Sequence, residues 1–258
     1  MRSIDLSGKA GVVLGVANHR SLAWAIAQEL QAAGARLAFT YAGERLKEKV
    51  EGLIAGTPGT PLIECDVTRD EEIARAFRMA GEALGTIHYV VHSVAFANKE
   101  DLEGDFLQTT RAGFHLAMDI SAFSFLRVAR EAAPLMEKEG GSMVTLTYNA
   151  SQRVVPSYNV MGSAKAALEH MVRQLAYELG PKNIRVNAVS AGPVNTLSAR
   201  GISGFMDMLH VSRDKAPLRR NIEPAEVGRA ALFLLSDMAS GITGTTLYVD
   251  AGYNIMGT

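Results

Sequence analysis

The sequence has little cysteine and no long hydrophobic run. Cys65 is the single cysteine among 258 residues, so an intrachain disulfide is impossible and a reducing compartment is the simplest expectation. No segment approaches the roughly 20 consecutive apolar residues of a membrane span, and the first residues lack the apolar stretch of a signal peptide. We therefore expect a cytoplasmic protein with no membrane-embedded part.

An excess of charge of one sign is also lacking. The chain carries 26 basic and 27 acidic residues, which gives no reason to expect a nucleic acid or an anionic membrane as partner. It has no internal repeat, low-complexity tract or recognisable linker. With 48% hydrophobic residues it can bury a sizeable core, and its length suits one large α/β domain spanning residues 1–258.

Short apolar runs alternate with longer helical patterns along the whole chain. The apolar runs predict strands at residues 10–16, 36–41, 61–65, 88–94, 142–147, 184–190 and 245–249. The helical patterns predict helices at residues 21–33, 44–54, 70–84, 158–179 and 224–236, and over much of 114–137. Short β-branched strands between helices indicate a parallel sheet covered on both faces. The predicted fold class is α/β, a doubly wound parallel sheet (Rossmann fold) in a single domain, with ligands beyond the carboxyl ends of the strands.

Two strand ends offer weak nucleotide-binding signals. Residues 15–23 place Gly15 and Ser21 before a helix, whose first N–H groups and dipole can hold a pyrophosphate. The further glycines of G-x-G-x-x-G are missing, and an ordinary serine-capped turn explains the segment equally well. Asp66 and the N–H of Val67 suit the amino group and ring nitrogen of adenine, although a helix N-cap aspartate is an equal alternative.

Tyr158 and Lys165 form the strongest local signal. Seven residues apart on a predicted helix, they lie two turns apart on one face. The ammonium group is expected to lower the phenol pKa of Tyr158 from about 10 and can hydrogen-bond a nicotinamide ribose. Tyr158 can then donate a proton or stabilise an oxyanion beside a hydride path. Such a pair is common by chance, but its position after a strand that leads into Tyr148 favours a catalytic interpretation.

These motifs, in this order, resemble the short-chain dehydrogenase/reductase superfamily over nearly the whole chain. Within it, the chain is similar to the enoyl-[acyl-carrier-protein] reductases of bacterial fatty-acid synthesis. The T-G-x-x-x-G-x-G turn and the N-N-A-G segment of ordinary members are absent, and Thr145 stands where their serine lies. Tyr148 resembles the second tyrosine of the enoyl reductases. The closer match is carried by residues 15–23, 93–97, 148, 158–162, 165 and 190–197, with the tail at 241–244 and 249–252.

The resemblance implies reduction of the trans-2 double bond of enoyl-[acyl-carrier-protein] thioesters by hydride transfer from NADH, a step of fatty-acid elongation in lipid metabolism. It implies that the catalytic residues are Tyr148, Tyr158 and Lys165. Tyr148 either shapes the pocket or assists protonation. The implied dinucleotide contacts are Gly15, Ser21, Leu22, Ala42, Asp66, Val67, Val94, Lys165, Val194, Asn195, Thr196, Leu197 and Ser198. The implied substrate contacts are Ala97, Tyr148, Tyr158, Met161 and Phe205.

NADH is expected to be preferred over NADPH. A 2′-phosphate needs a charged partner, and after Tyr41 the chain offers Ala42 and Gly43 with no basic residue before Arg45. Glu44 would repel a 2′-phosphate and Arg45 would attract it, so binding of a 2′-phosphate by an inward movement of Arg45 remains an alternative.

A lid over the substrate is expected around residues 194–215. Apolar residues recur there at helical spacing between possible glycine hinges, although a core-facing helix is an alternative. The apolar residues are Ile202, Phe205, Met206 and Leu209, and the hinges are Gly201 and Gly204. Docking of an acidic carrier protein would use basic residues nearby, although the surroundings of Met206 and Asp207 are less basic than expected. The available basic residues are Arg200, Arg213, Lys215, Arg219 and Arg220.

A homotetramer is implied by the resemblance and supported by small and apolar residues on several faces of the long helices. Asn195 departs from the arginine common in the family. The six histidines lack ligand spacing, so no metal is expected, and His92 is expected to pack in the core. Two alternatives remain: a 3-oxoacyl or other carbonyl reductase that uses Thr145, and a catalytically silent dinucleotide-binding regulator. Tyr148 argues against the first, and the Tyr158 and Lys165 pair against the second.

Overall fold

The fold is a seven-stranded parallel sheet with helices on both faces. The computed structural model describes residues 4–196 and 204–257. In the sheet the strands follow the order β3-β2-β1-β4-β5-β6-β7, and all six neighbouring pairs are parallel. In chain order, β1 to β7 are Ala10–Leu14, Arg36–Tyr41, Leu62–Glu64, Tyr89–His92, Gly141–Thr147, Ile184–Ala191 and Thr246–Val249. The predicted doubly wound α/β fold is confirmed.

In residues 4–196 and 204–257, eight α-helices accompany the sheet, and strand side chains alternate between two apolar layers. Val12 and Leu14 of β1 point into one layer and Val13 into the other, as the period of two requires. In chain order, α1 to α8 are Leu22–Ala32, Glu44–Ile54, Asp70–Leu84, Arg111–Met118, Ser124–Met136, Asn159–Leu179, Phe205–Lys215 and Pro224–Leu235. The first layer is closed by α3, α5 and α6, and the second by α1, α2 and α8.

Two predicted strands end two residues earlier than expected, and the residues that follow them line a cavity. β1 ends at Leu14 because Gly15 adopts φ +98°, a conformation that leaves the extended region and favours glycine. Gly15 also lies so close to the neighbouring strand that an added Cβ would sit 2.0 Å from the carbonyl oxygen of Ser93. β4 likewise ends at His92, two residues before the predicted end. Gly15 and Ser93, the first residues after the two strands, therefore pack against each other at the carboxyl edge of the sheet.

The long helix predicted over much of residues 114–137 is interrupted by a π-helical turn, Asp119–Phe123, between α4 and α5. Ser121 in this turn is fully buried and accepts a hydrogen bond from the N–H of Phe96 at 3.0 Å. Its hydroxyl also donates to the carbonyl oxygen of Phe96 at 3.0 Å. Turns of this kind are frequent at functional sites. Here the turn fixes the segment that follows β4. Within residues 4–196 and 204–257, no helix has the length and apolarity to span a membrane.

Candidate active site

Two joined cavities lie at the carboxyl ends of the strands. The larger, of about 980 Å³, lies beyond β4, β5 and β6, and the smaller, of about 410 Å³, lies beyond β1, β2 and β3. Both cavities are lined by Leu22, Leu146, Lys165 and Thr196, so they form one continuous groove. The chain changes direction in the sheet between β1 and β4, which is where doubly wound folds bind ligands.

The turn after β1 lines the smaller cavity and is held by Ser21. The Ser21 hydroxyl accepts hydrogen bonds from the N–H groups of Ala17 and Asn18, each at 3.0 Å. Ser21 occupies the N-cap position of α1 but makes no side-chain capping bond. Ser21 is therefore the N-cap residue by position, as the alternative interpretation has it, but its hydroxyl shapes the turn and does not cap the helix. The first N–H groups of α1 face this turn without partners inside the helix.

Asp66 and Val67 line the far end of the smaller cavity. The Asp66 carboxylate accepts hydrogen bonds from the N–H of Thr68 at 3.0 Å and from its hydroxyl at 2.8 Å. The N-cap of α3 is Arg69, so the alternative of Asp66 as a helix cap is wrong. The carboxylate instead orders a turn at the cavity wall.

The smaller cavity suits a nicotinamide dinucleotide. Gly15, Ser21, Leu22, Ala42, Asp66, Val67 and Val94 all line it, as the resemblance implies. Gly15 has no side chain and Ala17 has a small one, so the groove passes close to the start of α1. The first N–H groups of the helix and its dipole favour a pyrophosphate there. Asp66 at one end and the ammonium of Lys165 at the other give hydrogen-bonding groups for an adenine and a ribose.

The wall beside Ala42 carries little positive charge. Ala42 itself is exposed, and Arg45 is exposed and lines neither cavity. The ammonium of Lys47 pairs with Glu44 at 3.4 Å. Neither Arg45 nor Lys47 lines the smaller cavity, which favours a ribose diol over a 2′-phosphate at this position.

Two tyrosines stand together in the larger cavity. The ring centroids of Tyr148 and Tyr158 are 5.0 Å apart in an edge arrangement of 63°. Tyr148 follows β5 directly, and Tyr158 is the N-cap of α6, so the end of a strand and the start of a helix place both rings. The Tyr148 hydroxyl donates to the sulfur of Met208 at 3.3 Å, which brings α7 over the site. The substrate residues implied by the resemblance, Ala97, Tyr148, Tyr158, Met161 and Phe205, all line this cavity.

Lys165 lies where the two cavities meet. Its ammonium donates to the carbonyl oxygen of Leu146 at 2.8 Å. Burial lowers the pKa of Lys165 to about 8, against the opposing effect of Glu169. Burial raises the pKa of Tyr158, and the neighbouring Tyr148 raises it further. The expected lowering of the Tyr158 pKa by Lys165 is therefore wrong, because desolvation of the phenolate dominates.

Thr145 and His92 belong to the core and not to the site. Thr145 is fully buried, donates to the carbonyl oxygen of His92 at 3.1 Å and lines neither cavity. The ring nitrogens of His92 lie 3.0 Å from the Thr145 hydroxyl and 2.8 Å from the Ser124 hydroxyl. Burial, with a smaller effect of Lys165, lowers the pKa of His92 to about 3. The packing role expected for His92 agrees with this neutral, buried ring.

The segment after β6 is described in part. Val194 lines the larger cavity and Thr196 lines both, whereas Asn195 is exposed and lines neither. Leu197 and Ser198 lie outside the described residues, as do Arg200, Gly201 and Ile202 of the expected lid and docking surface.

On α7 the helical spacing identified only part of the lining. Phe205 is buried and lines the larger cavity, and Leu209 is also buried. Met206 was expected to cover the substrate, but it is 56% exposed, and Met208 lines the cavity in its place. The spacing of three residues between Phe205 and Met208 was the signal that could have identified Met208.

The sequence prediction also missed Leu146 and Thr147, which line the larger cavity at the end of β5. Their position directly before Tyr148 could have identified them. In the part of the chain that the structure describes, no cluster of three or more His, Cys, Asp or Glu side chains is arranged to hold a metal ion.

Comparison with known proteins identifies the family. A family model described as enoyl-(acyl carrier protein) reductase matches residues 15–254. The chain belongs to this family. It is 53% identical over 254 residues to the enoyl-[acyl-carrier-protein] reductase [NADH] FabI of Bacillus cereus, covering 98% of this chain and 99% of that protein. It is 48% identical to the Staphylococcus aureus protein named enoyl-[acyl-carrier-protein] reductase [NADPH] FabI, covering 97% and 98%.

The family match extends to three-dimensional structure. A crystal structure of the enoyl-(acyl-carrier-protein) reductase of Anaplasma phagocytophilum in complex with NAD has a TM-score of 0.95 and 46% sequence identity. The structural match covers 100% of this chain and 98% of the Anaplasma phagocytophilum chain. The similarity therefore includes the sheet, the flanking helices and the groove between them.

Proposed function

We propose that this chain reduces the trans-2 double bond of enoyl thioesters carried on acyl carrier protein, with NADH as the preferred coenzyme. The observation that carries the proposal is that Tyr148 and Tyr158 pack together in the larger cavity and that Lys165 lines both cavities. The names of the relatives agree, because most of those at about half identity are NADH-dependent enoyl reductases. The weakly basic wall at Ala42 supports NADH over NADPH.

The tyrosines and the lysine account for the chemistry. NADH, when bound, supplies a hydride to the β-carbon of the enoyl thioester. Negative charge then develops on the thioester oxygen, and the O–H of Tyr158 stabilises it by a hydrogen bond in a water-poor cleft. A proton taken up from solvent then adds to the α-carbon of the enolate and gives the saturated thioester. The raised pKa of Tyr158 keeps this proton in place at neutral pH. Lys165 holds the nicotinamide ribose and keeps the local potential positive. Tyr148 packs against Tyr158 and shapes the pocket for the reacting bond.

The remaining groove residues hold the two ligands. We assign the adenine to Asp66 and Val67, the pyrophosphate to the turn at Gly15 and Ser21, and the carboxamide side to Val194 and Thr196. The dinucleotide lining is completed by Leu22, Ala42, Val94 and Lys165. The family resemblance alone assigns three more dinucleotide contacts, Asn195, Leu197 and Ser198. The acyl chain lies against Ala97, Met161 and Phe205, under a lid that we place at residues 194–215 and that excludes water.

The most direct test of this function compares crotonyl-CoA with acetoacetyl-CoA in the presence of NADH or NADPH. We expect oxidation of NADH with crotonyl-CoA, less efficient oxidation of NADPH, and little reaction with acetoacetyl-CoA. The burial of Thr145 supports this expectation, because a carbonyl reductase would need that hydroxyl in the cavity. Preferential reduction of acetoacetyl-CoA would contradict the proposal, and no turnover with either substrate would favour a silent dinucleotide-binding regulator.

Several basic side chains around α7 are already paired and are therefore less available to dock the carrier protein. Arg213 pairs with Asp214 at 2.8 Å, and Arg220 pairs with Glu226 at 2.7 Å. The Arg219 guanidinium donates to the backbone carbonyl of Asp214. We therefore expect Lys215 and Arg219 to contribute more to docking than Arg213 and Arg220. We also propose a cytoplasmic homotetramer as the working form.

A further inference from the structure

The strongest unexplained feature outside the reacting groups is the carboxylate of Glu169 on α6. Glu169 is 4% exposed, which is rare for a glutamate unless its oxygens are satisfied. One oxygen, Oε1, accepts a hydrogen bond from the Thr147 hydroxyl at 2.7 Å and another from the Ser151 hydroxyl at 2.6 Å. The other, Oε2, accepts from the side-chain amide of Gln152 at 3.5 Å. The carboxylate thus collects three donors from a single stretch of chain.

The three donors lie on both sides of Tyr148. Thr147 is the last residue of β5 and directly precedes Tyr148. Ser151 ends a short 3₁₀ turn, Asn149–Ser151, that follows Tyr148, and Gln152 is the C-cap of this turn. The N–H of Ser151 donates to the carbonyl oxygen of Tyr148 at 3.0 Å, which closes the turn. The backbone of Tyr148 is therefore tied to α6 on both sides by one side chain.

The same helix carries the other two members of the site. Tyr158 is the N-cap of α6, and Lys165 stands four residues, or about one turn, before Glu169. Lys165 binds the carbonyl oxygen of Leu146, and Glu169 binds the hydroxyl of the next residue, Thr147. The end of β5 is thus attached to α6 at two successive turns.

Close packing supports this attachment. An added Cβ at Gly162 on α6 would lie 3.0 Å from the carbonyl oxygen of Ala150, so the 3₁₀ turn rests directly on the helix backbone. Glu169 itself lines neither cavity, although its partner Thr147 lines the larger one.

We propose that Glu169 is a positioning residue that fixes Tyr148 relative to Tyr158 and Lys165. This inference rests on the proposed function, because it assumes that the tyrosines and the lysine act on the substrate. Glu169 itself touches no reacting atom. It acts by holding the strand end and the 3₁₀ turn against α6.

The primary test compares Glu169→Gln and Glu169→Ala with the wild type, using crotonyl-CoA and NADH. Misplacement of a reacting group by about 1 Å costs on the order of 100-fold in rate, so we expect kcat of Glu169→Ala to fall by about 10-fold to 100-fold. Glu169→Gln, which keeps one acceptor oxygen, should lie between. The KM for NADH should change less than kcat. Glu178→Gln, an exposed carboxylate near the end of the same helix, is the matched control and should leave kcat unchanged.

A pH profile separates positioning from general loss of stability. The charged and titratable groups around Lys165 are Glu169 on its own helix and His92 on β4, and Tyr158 lines the same cavity. Removal of the carboxylate removes the effect that opposes burial, so the alkaline limb of kcat/KM for NADH should move to lower pH in Glu169→Gln. Thr147→Val and Ser151→Ala leave the carboxylate in place. They should lower kcat without moving this limb.

Hydrogen exchange gives a readout that does not depend on turnover. The amides of residues 149–152 should exchange faster in Glu169→Ala than in the wild type. Folded Glu169 variants with wild-type kcat, pH limb and exchange would overturn the positioning role while leaving the enoyl reductase function intact. If Glu169→Ala does not fold, Thr147→Val and Ser151→Ala decide, and unchanged kcat in both would contradict the inference. An inactive wild type would instead contradict the proposed function, and exchange would still report on the attachment.

Discussion

At the scale of the residue, the state of Tyr158 depends on burial more than on its charged neighbour. The cavity raises the pKa of the phenol, so the side chain stays neutral at physiological pH. A neutral phenol is the better donor to an oxygen that gains negative charge only during the reaction, because the bond strengthens as that charge develops. The arrangement therefore favours stabilisation of the transition state over binding of the ground state.

Replacement of Tyr158 by phenylalanine tests this role. Loss of a single donor to a developing oxyanion costs on the order of 100-fold to 1000-fold in kcat, and we expect Tyr158→Phe to show a loss of that size. Binding of NADH, measured by fluorescence titration, should stay close to the wild-type value because the ring is retained. A variant with near wild-type turnover would remove Tyr158 from the mechanism.

The pH dependence should report Lys165. Its pKa is lowered to about 8 by burial, so the side chain loses its proton as the pH rises through that value in the free enzyme. The neutral amine holds the ribose less firmly and no longer supplies positive potential. We therefore expect kcat/KM for NADH to fall above about pH 8 and to be constant just below it. In Lys165→Ala this limb should be absent and both coenzyme binding and turnover weaker. An identical limb in that variant would assign it to another group.

At the scale of the element, α7 combines a cavity face and a solvent face. Phe205 and Met208 line the larger cavity, whereas Met206 is exposed. The contact of Met208 with the Tyr148 hydroxyl connects this helix with the reacting end of the cavity. Acyl chain length should therefore be sensed on one face of the helix only.

Phe205→Ala should weaken the binding of long acyl chains more than the binding of short ones. The phenyl ring offers apolar contact that a four-carbon crotonyl group does not reach. At about 25 cal/mol per Å² of lost burial, the extra cost for a long chain should be about 1–2 kcal/mol. KM values for crotonyl, octenoyl and dodecenoyl thioesters give this measurement. Met206→Ala is the matched control and should not change the dependence on chain length. Equal effects of Phe205→Ala on all three substrates would show that α7 is a fixed core helix and does not contact the acyl chain.

The elements differ in how well the sequence predicted them, and the reason is physical. β2, α2 and α3 match their predicted bounds because local signals end them, such as Gly43 before α2 and Gly85 after α3. The early ends of β1 and β4 depend on contact of Gly15 with Ser93, and the π-helical turn depends on hydrogen bonds of Ser121 with Phe96. Contacts between distant segments leave no periodic pattern in the chain.

The same distinction applies to the site. The groove lining was largely predictable because ligands of parallel sheets lie at strand ends, where the motifs around Gly15, Asp66 and Tyr158 stand. The raised pKa of Tyr158 and the buried carboxylate of Glu169 could not be predicted from the sequence, because burial depends on the whole fold. Glu169 in particular stands in a helix, where a glutamate is ordinarily solvated.

At the scale of the whole molecule, the outer faces of the long helices remain to be explained. Tyr177 on α6 is 80% exposed, and Leu126 on α5 is 37% exposed. Apolar side chains at such positions are typical of helices that meet a second copy of the chain. These exposed side chains favour an oligomer, and the family resemblance leads us to expect a homotetramer. Light scattering at working concentrations should give four times the mass of 27.6 kDa, and a monomer mass would reject this expectation.

The central claim is that the molecule delivers hydride to the β-carbon of an enoyl thioester and not to a carbonyl carbon. Reaction of crotonyl thioester with NADH deuterated at the transferable C4 position tests this claim, with the product analysed by NMR. We expect a saturated butyryl thioester that carries a single deuterium on the β-carbon. A hydroxyl-bearing product with deuterium on the former carbonyl carbon, or no deuterium in any product, would contradict it.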